Sequence, residues 1–343
     1  MARRLLTAAM AGIALAMAAP AMAQGQPAAE ATVEVSAIPG VISGDAEWRT
    51  FWSGPMIVDG MAAAADGSLL FAQEQSNSII KVWPDGRWWV EYPFVAGAGS
   101  VSLGKDGTIY AADRSCTDPG LGLGANCTVP SKIVQLAPER KTIADKFADG
   151  KTLGRINDLA ADGHGGAYYT QGGLFHAAAD GTVETIVEGG NPAQGGVFTN
   201  GLVLSPDGKT LYVTNRTEIM AFDVAADGHV SGRRTFATIA GEPEGSFGGD
   251  GLAVDADGRL YVTTGQGIVV FDKAGQQLGA IPVPRRAITV AIGGPEGRTL
   301  YAGTLGANTP AGANWQTPQG VRNIAATIYA VNTLATGPAN RPK

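Results

Sequence analysis

The sequence has few of the residues that nucleophilic and metal-thiolate enzymes use. Its 343 residues include two cysteines and three histidines. The two cysteines lack the C-x-x-C spacing of a redox or zinc pair, and no G-x-S-x-G motif of a serine hydrolase is present. No phosphate-binding or dinucleotide-binding glycine motif lies between a strand and a helix pattern. These absences argue against cysteine, serine and nucleotide-dependent catalysis.

Positive charge and long apolar runs are also scarce. The chain has 25 Lys and Arg against 31 Asp and Glu, a formal net charge of −6. An acidic chain argues against nucleic-acid binding, which usually needs a basic face. After the N-terminal segment, no stretch approaches the roughly 18 uncharged apolar residues of a membrane span. We therefore expect neither a nucleic acid nor a membrane as a partner.

The first 23 residues have the pattern of a secretory signal peptide. Arg3 and Arg4 supply the positive start, and an uncharged apolar run from Leu5 to Ala19 follows. Ala21-Met22-Ala23 is a small-x-small cleavage site. We expect cleavage after Ala23 and a periplasmic or secreted protein.

One sequence pattern recurs six times. It is clearest in NGLVLSPDGKTLYVT from Asn200 and DGLAVDADGRLYVT from Asp250, where a second Asp-Gly follows after seven residues. The copies begin 39 to 58 residues apart, and further strand-like segments follow each one. Their first residues are Asp59, Gly99, Asn157, Asn200, Asp250 and Thr289.

This repeat predicts an all-β fold, a six-bladed β-propeller with four-stranded antiparallel blades. The sixth copy ends before its fourth strand, and residues 47–55 (EWRTFWSGP) resemble such a strand. We predict that this N-terminal strand closes the ring, which removes an open sheet edge. A closed ring needs no partner for stability, so we expect a monomer. The predicted segments are a signal peptide over 1–23, an N-terminal extension over 24–46, the propeller over 47–334 and a C-terminal tail over 335–343.

A glycine-rich insertion in the second repeat carries both cysteines. In an exported protein, an even pair as close as Cys116 and Cys127 predicts a disulfide that closes a short loop. Such a bridge would reduce the freedom of the loop in the unfolded chain. Two interpretations of the loop stay open: a pinned surface loop, or a lid over one mouth of the central channel.

The first residue of each copy should lie near the propeller axis, at one end of the innermost strand of its blade. Four of these residues carry a carboxylate or amide oxygen: Asp59, Asn157, Asn200 and Asp250. Such ligands suit a hard divalent cation, Ca²⁺ first, with Mg²⁺ and Mn²⁺ as alternatives. Zn²⁺ is a weaker alternative, because no His or Cys falls at these positions. The competing interpretation is ordinary hydrogen bonding in the turn before each strand.

Three segments carry a family resemblance: TNGLVLSPDGKTLYVTN, GRINDLAADGHGGAYYT and GDGLAVDADGRLYVTT. They resemble the core motifs of the senescence-marker-protein/gluconolactonase family, six-bladed propellers with a divalent metal in the channel, many of them lactone hydrolases. The resemblance spans roughly residues 54–333. It implies that Asn200 and Asp250 bind the metal and that Asp250 is also the general base. It further implies that Arg155 and Asn157 hold the substrate, with Asn157 as an additional metal ligand.

One position departs from the family pattern. The family's first ligand is a Glu in a Glu-Gly-Pro motif, whereas this chain has Asp59-Gly60-Met61. Asp is one methylene shorter, so the metal would shift or a water would bridge. Glu74, on the next segment, is a candidate to compensate.

Together with the candidate ligands, the resemblance implies metal-dependent hydrolysis of a sugar lactone or a similar cyclic ester, with a small-molecule substrate. Two alternatives stay open. One is a non-catalytic propeller that binds a ligand or partner and holds a structural metal; the other is a metal-dependent phosphoester hydrolase. Trp315, Phe198 and Phe247 are candidates for lining the pocket.

Overall fold

A computed structural model describes most of the chain, namely residues 30–114, 130–191, 194–243, 246–315 and 325–339. The described residues form 24 β-strands in six four-stranded antiparallel sheets, which confirms the predicted six-bladed propeller. In this part of the chain, no helix has both the length and the apolar character needed to span a bilayer.

Within each blade the strands follow one another from the innermost outward. Blade one consists of β2 (Val58–Ala63), β3 (Leu69–Gln73), β4 (Ser78–Val82) and β5 (Trp88–Pro93). Blade two consists of β6 (Val101–Leu103), β7 (Ile109–Asp113), β8 (Lys132–Ala137) and β9 (Lys141–Ala144). Blade three consists of β10 (Leu159–Ala161), β11 (Ala167–Thr170), β12 (Leu174–Ala177) and β13 (Val183–Val187).

Blade four consists of β14 (Thr199–Leu204), β15 (Thr210–Asn215), β16 (Glu218–Val224) and β17 (Val230–Thr238). Blade five consists of β18 (Leu252–Val254), β19 (Leu260–Thr264), β20 (Gly267–Phe271) and β21 (Gln277–Ile281). Blade six consists of β22 (Ala287–Gly293), β23 (Thr299–Leu305), β24 (Ala326–Asn332) and β1 (Arg49–Gly54).

The N-terminal strand closes the ring as predicted. β1 pairs antiparallel with β24 and becomes the outermost strand of the sixth blade. The ladder runs from Arg49 opposite Ala330 to Gly54 opposite Ala326. The start and the end of the propeller are therefore joined in one sheet.

In blades one, two, four and five, the hairpin between the two inner strands turns at the second Asp-Gly pair of the repeat. In the first blade, Gly67 adopts a φ of +83°, a left-handed conformation that glycine reaches without a steric penalty. The preceding carboxylate, Asp66 Oδ1, accepts a hydrogen bond of 3.1 Å from Ser68 N. This geometry assigns a turn-forming role to the second Asp-Gly pair of the repeat.

The core lies between neighbouring blades rather than within any one of them. Each of six apolar clusters in the described chain is filled from the facing sides of two adjacent blades. The N-terminal extension contributes to the cluster between blades five and six through Val35, Ile38, Val41 and Ile42, all buried. Burial of these side chains ties the segment before β1 to the propeller.

Two predictions fall on residues outside the described ranges. They are the signal peptide over 1–23 and the disulfide between Cys116 and Cys127. Both stay predictions, as do the segment boundaries; the strands run from Arg49 to Asn332.

Candidate active site at one end of the propeller axis

The six innermost strands contact one another in succession around the axis. β2 contacts β6, β6 contacts β10, and the series continues through β14, β18 and β22 back to β2. The first residues of the six repeats share one end of this ring. Asp59, Asn200 and Thr289 lie within β2, β14 and β22, and Gly99, Asn157 and Asp250 lie two residues before β6, β10 and β18.

Close approach between the inner strands explains the glycine that follows several of these residues. Gly201 N donates a hydrogen bond of 3.2 Å to Asp250 O, and Gly251 N donates one of 3.0 Å to Ile288 O. A Cβ on Gly201 would lie 2.3 Å from Asp250 O. Packing therefore explains the glycine of these Asn-Gly and Asp-Gly pairs, whatever role the preceding side chain has.

A buried arginine is the partner of Asp59. Arg114 follows β7 directly, its side chain is 1% exposed, and its Nη2 lies 2.9 Å from Asp59 Oδ2. The guanidinium also donates from Nε to Ile156 O at 2.6 Å and from Nη2 to Asn157 O at 2.9 Å. One side chain thus connects blade one, blade two and the segment before β10.

Gly99 provides the space for this guanidinium. A Cβ on Gly99 would lie 2.0 Å from Arg114 Nε and 2.4 Å from its Cζ. Of the six equivalent ring positions, the one without a side chain is therefore filled by the arginine of the same blade.

Glu74 and Arg155 extend the ion pair into a group of four alternating charges. Glu74 Oε1 lies 3.0 Å from Arg155 Nη1 and 3.6 Å from Arg114 Nη1, and its side chain is 3% exposed. Burial raises the pKa of Glu74 above its usual 4.5, against the opposing effect of the two arginines. Burial alone would lower the pKa of Arg114, but Asp59 and Glu74 outweigh it and raise that pKa. The buried guanidinium therefore stays charged.

The remaining predicted residues come from blades three to five. Asn200 is 8% exposed, whereas Asn157, Asp250 and Arg155 are partly exposed. The backbones hold them in place: Asp250 N donates to Thr263 O at 2.9 Å, and Asn157 N donates to Thr170 O at 2.7 Å. The structure places the predicted metal-binding and substrate-binding residues at one end of the axis.

The donor set fits a hard cation only in part. Asn157, Asn200 and Asp250 offer two amide oxygens and a carboxylate, the ligand types that Ca²⁺ prefers. Asp59 fits poorly, because its carboxylate is already paired with Arg114. The described residues contain no cluster of three or more His, Cys, Asp or Glu side chains arranged around a metal position.

Arg114 was missed by the sequence reasoning, and Glu74 was named only as a substitute ligand. Both directly follow the second strand of their blades, where the equivalent residues in blades three and four are Gln171 and Arg216. An alignment of this position across the repeats, like the alignment of their first residues, would have shown charged residues beside the axis.

The aromatic candidates fall into two places. Phe198 and Phe247 pack edge to face with ring centroids 5.6 Å apart, on the segments that lead to Asn200 and Asp250. Trp315 lines a separate cavity of about 470 Å³ beside the ends of β1 and β23. Only the phenylalanine pair therefore adjoins the predicted ligands along the chain.

The fold and the ring define a six-bladed propeller with a charged polar site at one end of its axis. A sequence model of the family described as "SMP-30/Gluconolactonase/LRE-like region" matches residues 61–306. The chain belongs to this family, as its repeat motifs suggested.

Relatives and solved structures agree with this assignment. The alignment with a gluconolactonase of Zymomonas mobilis is 315 positions long and 25% identical, and it covers 80% of this chain and 81% of that protein. The structure of a gluconolactonase from Xanthomonas campestris superimposes with a TM-score of 0.65 at 19% identity, over 90% of this chain and 98% of that one. A calcium-binding protein, regucalcin, from Agrobacterium tumefaciens gives a TM-score of 0.60 at 16% identity, over 85% and 95%. At these identities, the two solved structures support the fold.

Proposed function

We propose that this protein is a lactone hydrolase that opens a sugar lactone or a similar cyclic ester. Membership of the family and the similarity to a curated gluconolactonase support this assignment. The observation that carries it is that the backbones of Asn157, Asn200 and Asp250 lie at one end of the axis, with Arg155 two residues before Asn157. A carboxylate, two amides and a partly exposed guanidinium are suited to hold a polyhydroxylated ester and a water molecule.

Metal dependence is the finer part of the proposal. Asn157, Asn200 and Asp250 would hold the cation, with Ca²⁺ as the first candidate, and similarity to a calcium-binding regucalcin supports this choice. When bound, such a cation polarises a carbonyl oxygen and stabilises the negative charge that develops on it.

The chain's own residues supply proton transfer and orientation. Water adds to the lactone carbonyl carbon, the ring C–O bond breaks, and the product is a hydroxy acid. Asp250 orients this water and accepts its proton, which then passes to the departing ring oxygen. Arg155 is held on one side by Glu74 and is 22% exposed, so its free face can bind a hydroxyl or carboxylate of the substrate.

We also propose the predicted setting of this activity. A cleaved signal peptide over 1–23 would place the protein in a periplasm or outside the cell, where Cys116 and Cys127 would form a disulfide. The closed ring is expected to act as a monomer on a small molecule.

The test is hydrolysis of a panel of aldonolactones by the purified mature chain. After chelator treatment, each assay is run without metal and with added Ca²⁺, Mg²⁺, Mn²⁺ or Zn²⁺, and acid release is followed. We expect turnover that requires a cation. Turnover that no cation increases would support a lactonase that needs no metal. No turnover under any condition would refute the lactonase proposal for this panel and favour a binding propeller.

A further inference from the structure

A positive charge of the chain lies against one of the predicted metal ligands. Arg114 Nη2 contacts Asp59 Oδ2 at 2.9 Å, and Asp59 Oδ1 accepts a hydrogen bond of 3.1 Å from Gly60 N. Both carboxylate oxygens therefore already accept hydrogen bonds from the chain. A divalent cation on Asp59 would lie close to this guanidinium, and like charges repel most strongly where water is excluded.

Arg114 is also held too firmly to move aside. Its side chain is 1% exposed, and Gly99 leaves the space in which the guanidinium sits. Backbone carbonyls of Ile156 and Asn157 accept from it at 2.6 and 2.9 Å. Transfer of Asp59 from Arg114 to a cation would leave a buried guanidinium with less compensation, which is costly.

The group of four contains two charges of each sign. Arg114 and Arg155 are positive, Asp59 and Glu74 are negative, and each negative group contacts at least one positive group. The buried carboxylate of Asp158 also acts on Arg114 through its charge. Of the two carboxylates among the predicted ligands, Asp59 therefore already has a cationic partner from the chain, and Asp250 is the other.

We propose that Arg114 withholds Asp59 from divalent cations, so that a cation at the axis is held by Asn157, Asn200 and Asp250 and by water. This inference rests on the metal-binding part of the proposed function. Arg114 is then a positioning residue: it fixes the carboxylate of Asp59 and, by its charge, weakens the cation site.

Calorimetric titration of Ca²⁺ into the purified, metal-free mature chain tests this role. Asp59→Asn keeps the side-chain shape and should leave Kd within about threefold of wild type, whereas Asp250→Asn should weaken binding about tenfold or more. Arg114→Met removes the competing charge and should tighten binding about tenfold. Arg114→Lys is the matched control; it keeps a positive charge beside Asp59 and should bind Ca²⁺ like wild type.

Three results would overturn the inference. One is a loss of affinity in Asp59→Asn as large as that in Asp250→Asn. The second is equal affinity of Arg114→Met and Arg114→Lys, which is what a purely structural arginine predicts. The third is the absence of Ca²⁺ binding by every folded variant.

Circular dichroism first establishes which variants fold. If Arg114→Met does not fold, the Asp59→Asn comparison decides, because this side chain is 25% exposed and its substitution preserves shape. Calorimetry detects binding without turnover, so a failed lactone assay and a failed inference are separate results.

Discussion

At the scale of single residues, Asp162 is a buried carboxylate that lies away from the propeller axis, and its hydrogen-bond partners keep it ionised. Its Oδ1 accepts hydrogen bonds from His164 N at 2.6 Å and Gly166 N at 2.9 Å, and its Oδ2 lies 2.7 Å from His176 Nε2. Burial acts to raise the pKa of Asp162, but these hydrogen bonds outweigh it and hold the pKa below its usual 3.8.

This shift predicts a pH-dependent loss of stability in Asp162→Asn. A carboxyl whose pKa is lowered by folding stabilises the protein above its unfolded-state value, near 3.8 for Asp162, and the contribution disappears as pH falls through the lower folded-state value. We expect the variant to lose about 1–3 kcal/mol in the free energy of unfolding at pH 7.

The measurement is urea unfolding followed by circular dichroism, at pH 7 and at several values below 4. The difference between wild type and variant should shrink as the pH is lowered. A difference that stays constant over this range would show that the carboxylate charge is not what stabilises the site. Asp180→Asn, in an exposed turn, is the control for loss of a carboxylate as such.

At the scale of elements, closure by β1 depends on side chains as well as on its ladder with β24. Trp52 belongs to the sixth blade through this ladder, yet its ring packs 4.9 Å from that of Phe71 in β3 of the first blade. The tryptophan is 8% exposed and lies in the cluster shared by these two blades. One residue therefore connects the first and last blades.

Truncation of this side chain should destabilise the whole ring. We expect Trp52→Ala to lower the free energy of unfolding by about 3–5 kcal/mol, the usual cost of removing a large buried aromatic side chain. Phe94→Ala is the control, since Phe94 is 83% exposed, and should change stability by less than about 0.5 kcal/mol. Denaturant unfolding by circular dichroism measures both; equal effects of the two substitutions would refute the closing role of Trp52.

Elements and their order were predictable from the sequence because they are local. The Asp-Gly turns, the strand segments and the repeat spacing are sufficient to predict six blades, and the missing sixth outer strand indicated that β1 closes the ring. The packing of the N-terminal extension was not predictable. Burial of Val35 and Ile38 between blades five and six depends on contacts distant in sequence, which no repeat encodes.

The location of the candidate site was predictable from the same local pattern. The first residues of the repeats lie at one end of the axis, because they occupy equivalent positions in the six repeats. Their partners were not predicted, because the contacts of Arg114 with Asp59 and of Glu74 with Arg155 cross between blades. The sequence grouped Asp59 with Asp250 because both are carboxylates. The structure distinguishes them, because Asp59 is paired with the buried Arg114.

At the scale of the whole molecule, the ring places residues from all six blades at one end of the axis. The first three blades contribute a group of alternating charges through Asp59, Glu74, Arg114 and Arg155, and the fourth and fifth contribute Asn200 and Asp250. We therefore expect catalysis to depend far more on Asn200 and Asp250 than on carboxylates elsewhere in blades four and five.

The rate of lactone hydrolysis by Asp250→Asn tests this account most directly. Asp257→Asn is the matched control: Asp257 lies in the same blade, in a hairpin turn, and its side chain is 70% exposed. With the lactone that wild type hydrolyses fastest, we expect Asp250→Asn to reduce kcat about a hundredfold or more and Asp257→Asn to retain the wild-type rate. Wild-type turnover by Asp250→Asn would contradict the assignment of the active site to this end of the propeller axis.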